Sequence, residues 1–222
     1  MARSQEASRF AAFKAPSLFK FGYTNQERPT LESIRAILEE TPNTLFLTIS
    51  RWACCLVNDL AVNVLFDGVA PLDTIPADPE SNPSNFRGAK MVESEPSRLR
   101  IFRGMRITLT KNENKRIGFV NGMGATVLGM DHGNLIVRTE ENVRLVVHPI
   151  HDENLVLSFP VRPGYASTLH KVQGATLDHI TVWLDTPNVP AAAYVAISRV
   201  QYDKDWRYVG KPFLHHFTPA RF

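Results

Sequence analysis

The 37 residues from Gly164 to Val200 constrain the fold of this chain more than any other segment. They combine a polar turn that contains a glycine, an apolar strand and a short helix that ends in Ser198-Arg199. Glycine lets the backbone approach a phosphate, hydroxyls and amides bind its oxygens, and an arginine neutralises charge on a terminal phosphoryl group. The segment therefore predicts one side of a nucleotide-phosphate cleft.

The turn contains Ala166, Thr168, His170, Lys171, Gln173, Gly174 and Thr176, and the helix contains Tyr194, Val195, Ala196, Ser198 and Arg199. These two sets, here called the first and the second motif, resemble the last two motifs of superfamily 1 DNA helicases, in the branch of the RecD-like and the mitochondrial and nuclear 5′-to-3′ enzymes. Residues 45–58 look like the strand and helix that open the family's second motor lobe. Residues 103–127 look like the segment that leads into its small β-barrel insertion. The resemblance spans about 44 to 200, and the two motifs are specific together.

The fold implied by this resemblance is α/β: a RecA-like lobe of the P-loop NTPase type, with a parallel sheet interrupted by a small antiparallel β-barrel. Residue patterns agree with it. They predict helices over 29–40, 51–66 and 189–198, and strands over 44–50, 105–111, 165–170 and 180–184. Short apolar runs separated by polar turns between 124 and 160 are typical of a small barrel.

The predicted domain boundaries follow from these patterns. We expect an irregular segment over 1–28, the second motor lobe over 29–118 and 161–210, the barrel insertion over 119–160 and a tail over 211–222. Within the lobe, five prolines between Pro71 and Pro96 predict a Pro-rich loop over about 67–100.

A complete motor also needs a G-x-x-x-x-G-K-[ST] string for the phosphates and magnesium, and the sequence has none. The Asp-Glu pair of a metal-binding strand is missing too, since Asp152-Glu153 does not follow a clean apolar strand. We therefore interpret the chain as the C-terminal lobe of an ATP-dependent DNA helicase, without ATPase activity on its own. ATP with Mg²⁺ would be held mainly by a P-loop-containing N-terminal lobe, in cis or in trans. The alternative is a non-catalytic single-stranded nucleic-acid-binding or regulatory module derived from a helicase.

The resemblance implies an ATP site on this lobe. Arg199 is expected to act as an arginine finger on the γ-phosphate, with Gln173, Gly174 and Thr176 beside the phosphates and the ribose. Two simpler interpretations remain open. An arginine at a helix C-terminus often binds the last carbonyls, and a glycine at such a turn can satisfy a steric need alone.

Single-stranded DNA contacts are expected at two sheet-edge segments and one loop. Open α/β sheets bind ligands at the carboxyl ends of their strands, and Thr48, Ser50 and Arg51 lie at the carboxyl end of the first strand. Ser50 could equally cap the helix that follows. The resemblance places the hydroxyl and imidazole of the first motif on DNA phosphates, and RNA is not distinguished from DNA by any residue. The predicted contacts are Thr48, Ser50, Arg51, Asn112, Lys115, Arg116, Thr168, His170 and Lys171.

Other features narrow the class of protein. Hydrophobic residues make up 44% of the chain and charged residues 21%, as in an ordinary globular protein, and no apolar run approaches a membrane span. The net charge is +3, but residues 98–121 contain seven basic residues and one acidic residue, net +6. This block indicates either phosphate tracking or a solvated surface.

Two adjacent cysteines and no zinc-like spacing predict an intracellular, reducing compartment and no metal site. The basic N-terminal segment is either weakly organelle-targeting or, as we favour, a frayed boundary.

Three tryptophans could stack on bases, although the apolar patterns around two of them favour core packing. They are Trp52, Trp183 and Trp206. Asn121-Gly122 predicts a tight turn.

Overall fold

The computed structural model describes residues 28–81, 97–114, 116, 119–151, 155–186, 189–210 and 214–218. Within these ranges the helices are α1 (Leu31–Glu40), α2 (Arg51–Leu65) and α3 (Ala192–Ile197). The strands are β1 (Leu45–Thr48), β2 (Asp73–Ala77), β3 (Ser97–Ile101), β4 (Arg106–Leu109), β5 (Gly124–Asp131), β6 (Asn134–Thr139), β7 (Arg144–Val147), β8 (Ile150–His151), β9 (Leu157–Ser158), β10 (Val161–Pro163), β11 (Ala166–Thr168), β12 (Ile180–Trp183) and β13 (Trp206–Tyr208). Short 3₁₀ helices cover Pro79–Ser81, Leu169–Val172, Asp203–Asp205 and Leu214–Phe217.

The chain divides into two compact units. The first comprises Met1–Cys54 and Ser167–Phe222, and the second comprises Cys55–Ala166. None of the helices in the described ranges is long and apolar enough to cross a membrane.

The first unit is built on a four-stranded sheet in the order β11-β1-β12-β13. β12 lies parallel to both β1 and β13, with Ile180 opposite Leu45 on one side and Trp206 on the other. All four residues of β12 are buried, because a parallel sheet is covered on both faces. The predicted parallel sheet is therefore present. Its strands contribute Leu47, Val182 and Trp206 to a buried cluster that also includes Val172, Ala193, Ala196 and Ile197.

Helix α1 confirms the predicted helix over 29–40. Thr30 caps its N-terminus: the Thr30 hydroxyl accepts a hydrogen bond from the Ser33 amide at 3.2 Å, and the Thr30 amide donates to the Ser33 hydroxyl at 2.8 Å. Such a reciprocal pair satisfies two amides that the helix cannot. At the other end, the Glu40 carboxylate lies 2.7 Å from Nη2 of Arg207, which is buried on β13.

A polar cluster occupies the amino ends of β1 and β12. The Thr44 and Thr181 hydroxyls, both fully buried, are 2.9 Å apart, and Nδ1 of His179 lies 2.8 Å from the Thr44 hydroxyl. Burial lowers the pKa of His179, and the positive charge of Arg207 lowers it further. The neutral imidazole is therefore the favoured form in the folded protein.

The second unit contains an antiparallel sheet in the order β10-β4-β5-β6-β7. The strands predicted between 124 and 160 are present in part as β5, β6, β7 and β9. Sequence patterns place the insertion at 119–160, whereas this sheet also includes β4 and β10. Both strands are too short for their pairing partners to be predicted from the sequence. In the structure β10 pairs with β4, and β4 pairs with β5, which makes both strands part of this sheet. Closure into a barrel stays a prediction.

The predicted Pro-rich loop contains regular structure that the sequence analysis missed. β2 pairs antiparallel with β3, with Ile75 opposite Leu99 and Pro76 opposite Arg98. Proline cannot donate to a sheet ladder, but the Pro76 carbonyl accepts a hydrogen bond from the Phe159 amide at 2.7 Å. Ile75 and Ala77 are buried while the alternate residues are not. The prolines concealed this two-residue alternation.

Asn58 on α2 anchors the chain ahead of β11. Its Oδ1 accepts hydrogen bonds from the Tyr165 and Ala166 amides, each at 2.9 Å, and its Nδ2 donates to the Ala166 carbonyl at 3.4 Å. Asn58 is 4% exposed. A single buried side chain thus satisfies two consecutive backbone amides, which would be costly to leave unpaired.

Candidate nucleotide and nucleic-acid site

The carboxyl end of β1 presents one exposed basic residue on a capped helix. Thr48 is fully buried, and its hydroxyl donates to the Ser50 carbonyl at 3.1 Å. The Ser50 hydroxyl accepts from the Ala53 amide at 3.1 Å, so Ser50 caps α2, as the simpler interpretation expected. Arg51, the first residue of α2, is exposed. The turn therefore holds Arg51 at the sheet edge, and the buried Thr48 hydroxyl stabilises the turn through its hydrogen bond to Ser50.

Asp185, which lies outside both sequence motifs, holds this turn in place. It follows β12, the strand beside β1, and its Oδ1 accepts hydrogen bonds from the Ile49 amide at 2.8 Å and the Ser50 amide at 3.2 Å. Its Oδ2 accepts from the Thr186 hydroxyl at 3.1 Å. The strand-end rule that selected Thr48 also applies to Asp185, which is the signal that could have found it.

Two exposed residues lie between buried ones at the end of β11. Thr168 is 7% exposed, and the 3₁₀ helix Leu169–Val172 buries Leu169 and Val172. Between these apolar anchors, His170 and Lys171 are exposed. The predicted strand over 165–170 thus ends two residues early, and the turn that replaces it presents an imidazole and an ammonium group to solvent.

The predicted glutamine-glycine bend lies open to solvent. Gln173, Gly174 and Thr176 are exposed. Gly174 has φ +82°, a left-handed conformation that strains other residues. A Cβ atom built at Gly174 would meet nothing within 4 Å. The glycine is therefore required by the backbone conformation rather than by crowding, and the space beside it is free of protein atoms.

A backbone hydrogen bond connects Arg199 to the segment that follows this bend. The Leu177 amide donates to the Arg199 carbonyl at 2.7 Å, which ties the end of the first motif to the end of the second. The Arg199 side chain is half-buried and folds back onto its own helix. Nε donates to the Val195 carbonyl at 3.2 Å, and Nη2 donates to the Ser198 hydroxyl at 2.8 Å. The carbonyl-binding interpretation of Arg199 thus has a geometric basis.

The predicted polar loop belongs to the second unit. Asn112 and Arg116 are exposed. The Asn112 side chain accepts from the Asn121 amide at 2.9 Å, and so helps shape the loop. Lys115 lies outside the described residues. Asn121 and Gly122 form the predicted tight turn, with Gly122 at φ +92° and the Met123 amide donating to the Val120 carbonyl.

Two of the three tryptophans pack into the core of the first unit, as favoured. Trp183 is 6% exposed and Trp206 is 5% exposed. Trp52 is half-buried. Its ring centroid lies 6.3 Å from that of Trp183, and the Arg28 guanidinium carbon lies 4.9 Å from the Trp52 ring. A half-covered ring with a cation on it is a poor platform for stacking a base.

The exposed groups at the two motifs have the chemistry of one side of a triphosphate site. The first unit contains an exposed amide side chain and an exposed hydroxyl, next to a glycine with positive φ and free space beside it. The backbone carbonyl of Arg199 is hydrogen-bonded to the same segment. This donor set fits phosphate oxygens. Among the described residues, no group of three or more His, Cys, Asp or Glu is placed to hold a metal ion.

No protein-family model matches the chain. The chain is 32% identical over 118 residues to the ATP-dependent DNA helicase Pif1 of Bdellovibrio bacteriovorus, a match that covers 48% of this chain and 26% of that protein. The structure is similar to the crystal structure of Bacteroides Pif1 bound to ssDNA, with a TM-score of 0.59 and 16% identity over 86% of this chain and 48% of that one.

Two further solved Pif1 structures are similar to the chain. Pif1 helicase from Candida albicans has a TM-score of 0.57 and 16% identity, covering 96% of this chain and 55% of that one. Bacteroides Pif1 in complex with ADP-AlF3 and ssDNA has a TM-score of 0.55 and 17% identity, covering 86% and 47%. The chain thus spans about half the length of these solved helicases and about a quarter of the curated relative. Part of the chain is homologous to Pif1 helicases at low identity, and its fold resembles their RecA-like domains.

Proposed function

We propose that this chain is the C-terminal motor lobe of an ATP-dependent DNA helicase. The observation that carries the proposal is the hydrogen bond between the Leu177 amide and the Arg199 carbonyl. It joins the exposed glutamine-glycine bend to the arginine, the two parts that one side of a triphosphate site requires. Homology to Pif1 over part of the chain, and the likeness to structures bound to ssDNA and ADP-AlF3, support the same assignment.

Arg199 is the proposed arginine finger. To reach a γ-phosphate, its guanidinium must release the Val195 carbonyl and the Ser198 hydroxyl. A phosphate is a charged acceptor that can bind a guanidinium in a bidentate manner, whereas the Val195 carbonyl and the Ser198 hydroxyl are neutral acceptors. The exchange is therefore favourable when a triphosphate is in reach. Gln173, Gly174 and Thr176 would bind the phosphate and ribose oxygens. ATP with Mg²⁺, held mainly by a P-loop-containing N-terminal lobe in cis or in trans, supplies the bond that is hydrolysed.

Single-stranded DNA would lie along the exposed residues at the carboxyl edge of the parallel sheet. Arg51, His170 and Lys171 are exposed there and offer positive or hydrogen-bonding groups to phosphates. Ser50 is engaged as a helix cap, and Thr48 and Thr168 are buried, so their contacts with DNA depend on movement of the turns above them. Asn112 and Arg116, on an exposed loop of the second unit, are proposed as separate contacts to the DNA backbone. The chain alone would bind single strands weakly and with strong salt dependence.

The decisive experiment supplies a P-loop lobe from outside. A separately expressed P-loop-containing helicase lobe is mixed with the full chain, and DNA-stimulated ATP hydrolysis is measured. We expect activity from the mixture and none from the chain alone. Arg199→Ala should lower that activity by about 10³-fold, whereas Arg35→Ala, which removes an exposed arginine from α1, should leave it unchanged. ATP hydrolysis by the chain alone at the rate of the mixture would refute the proposal.

The second candidate is a non-catalytic single-strand-binding or regulatory module that kept the fold. It is favoured by the geometry of Arg199, whose guanidinium already satisfies its own helix terminus. On this interpretation the mixture gains no ATPase activity. Arg199→Ala then leaves single-strand affinity unchanged and lowers stability slightly.

A further inference from the structure

The five-stranded sheet of the second unit has one apolar face and one arginine-bearing face. Neighbouring residues on a strand point to opposite faces. One face consists of buried residues, namely Ile107, Leu109, Ala125, Val127, Leu135, Val137, Leu145, Val147 and Val161. The alternate positions define what we call the outer face: Arg106, Thr108, Thr126, Ile136, Arg138, Arg144, Val146 and Arg162. Of these, Arg138, Arg144 and Val146 are exposed, Ile136 is buried and the others are half-buried.

Strand register places three of these arginines in one row. Arg106 lies opposite Thr126, Thr126 opposite Arg138, and Arg138 opposite Arg144. Since neighbouring strands lie about 4.8 Å apart, the row crosses four strands and spans about 14 Å. Arg103 also reaches this face. Its Nη2 lies 3.9 Å from the position of a Cβ built on Gly129, which is opposite Ile136.

The row places like charges directly against each other. Arg138 and Arg144 are both exposed and directly opposite, an arrangement that destabilises a sheet. Within the part of the chain that the structure describes, neither guanidinium forms an ion pair or a hydrogen bond. The Glu140 carboxylate lies on this side, with its Oε1 over Gly124. An anionic ligand would offset the repulsion that the protein leaves in place.

We propose that the outer face binds the sugar-phosphate backbone of duplex DNA, independently of base sequence. Guanidinium groups bind phosphate oxygens in a bidentate manner, and the Thr126 hydroxyl lies between them in the row. None of the outer-face positions defined above carries an aromatic side chain, so the face lacks the stacking platform that single strands use. Tyr165, whose ring covers Arg106 at 4.6 Å, is itself buried. The choice of DNA rests on the proposed function, but none of the residues proposed there belongs to this face.

The test compares two variants of the full chain that lose the same charge. Arg138→Gln/Arg144→Gln removes the two exposed arginines of the row. Arg35→Gln/Lys204→Gln removes two exposed cations of the first unit. Binding of a fluorescent blunt duplex and of an oligothymidine of equal length is measured by anisotropy between 50 and 200 mM salt, roughly the range over which phosphate contacts are lost.

We expect the outer-face variant to bind duplex about tenfold more weakly at low salt, with a salt slope smaller by about 2. Its affinity for the single strand should not change, its melting temperature should not fall, and the control variant should keep the duplex slope. Equal losses in both variants would show an effect of net charge only and overturn the proposal. A larger loss for the single strand than for the duplex would overturn it as well.

A further variant separates this proposal from the proposed function. Lys171→Gln should weaken single-strand binding and leave duplex binding intact. If Lys171→Gln has no effect while the outer-face variant loses duplex affinity, the outer face stands and the single-strand assignment fails. The reverse result refutes the outer face alone.

Discussion

Asn58 in the second unit and Asp185 in the first perform the same task in different surroundings. In each case one side-chain oxygen accepts hydrogen bonds from two consecutive backbone amides. Asn58 receives Tyr165 and Ala166, both at 2.9 Å, and Asp185 receives Ile49 and Ser50 at 2.8 and 3.2 Å. Asn58 is buried and neutral, whereas Asp185 is half-buried and carries a carboxylate at the edge of the sheet.

The difference follows from the cost of burying charge. A carboxylate at the position of Asn58 would lose its hydration and would face the Ala166 carbonyl, to which Asn58 now donates. At the strand end, water can still reach Asp185, so a charge is tolerated there. The amide therefore serves the core, and the carboxylate serves a turn at the edge of the sheet that precedes the exposed Arg51. The following predictions test this contrast, in order of decreasing effect.

Asn58→Leu should lower the free energy of unfolding by about 2–4 kcal/mol, because two buried amides lose their acceptor. Urea unfolding followed by circular dichroism measures this. Asn58→Asp keeps the acceptor but adds a buried charge, so it should also destabilise the protein. A loss below that of Asp185→Ala would show that the Asn58 contacts are dispensable.

Asp185→Ala should cost about 1–2 kcal/mol, since water can replace part of what the Ile49 and Ser50 amides lose. Asp185→Asn keeps an oxygen in the same place and should cost less. Both variants are compared by urea unfolding and by single-strand binding. If Asn behaves as badly as Ala, the charge rather than the acceptor holds the turn, and the contrast with Asn58 is wrong.

Gly174→Ala should destabilise the first unit by about 1 kcal/mol, because φ +82° is costly for a residue with a Cβ. No clash adds to this cost, since nothing lies within 4 Å. The control is Gly129→Ala in the second unit, where φ is ordinary and the nearest atom is at 3.9 Å. Thermal unfolding of the two variants checks the difference, and equal melting temperatures would contradict it.

His179 should make stability depend on pH. Its pKa in the folded protein is depressed by burial and by Arg207, so the unfolded chain binds the proton more readily. Stability is then greatest above the ordinary histidine pKa of about 6.5 and falls as the pH drops from there toward the depressed value. His179→Gln should remove this part of the pH profile of urea unfolding. An unchanged slope between wild type and variant would contradict the prediction.

Arg144→Thr should stabilise the protein by about 0.2–0.5 kcal/mol in the absence of DNA, because the repulsion from Arg138 is removed. Thermal unfolding at low salt measures it, and high salt should reduce the gain through screening. A loss of stability would show that Arg144 is compensated within the fold. The outer face would then contain no uncompensated repulsion between Arg138 and Arg144 for an anion to relieve.

Much of the first unit could be predicted because its signals are local. Thr30 followed by Ser33 marks the start of α1, and the apolar run that ends at Thr48 marks a strand buried on both faces. The two motifs that carry the proposed ATP site are contiguous stretches of sequence. Asp185 was missed because its role depends on β12 lying next to β1, a pairing across more than a hundred residues.

By itself, the sequence determined the α/β character of the chain, the positions of its long helices and the two motifs that resemble superfamily 1 helicases. Each of these depends on residues close together along the chain, where periodicity and turn chemistry are visible. Tertiary structure alone decided that β4 and β10 join the antiparallel sheet, that β2 is a strand despite Pro76, and that Arg106, Arg138 and Arg144 share one row. These outcomes depend on strand register, which a shift of one residue would reverse, and register is set by packing between distant segments.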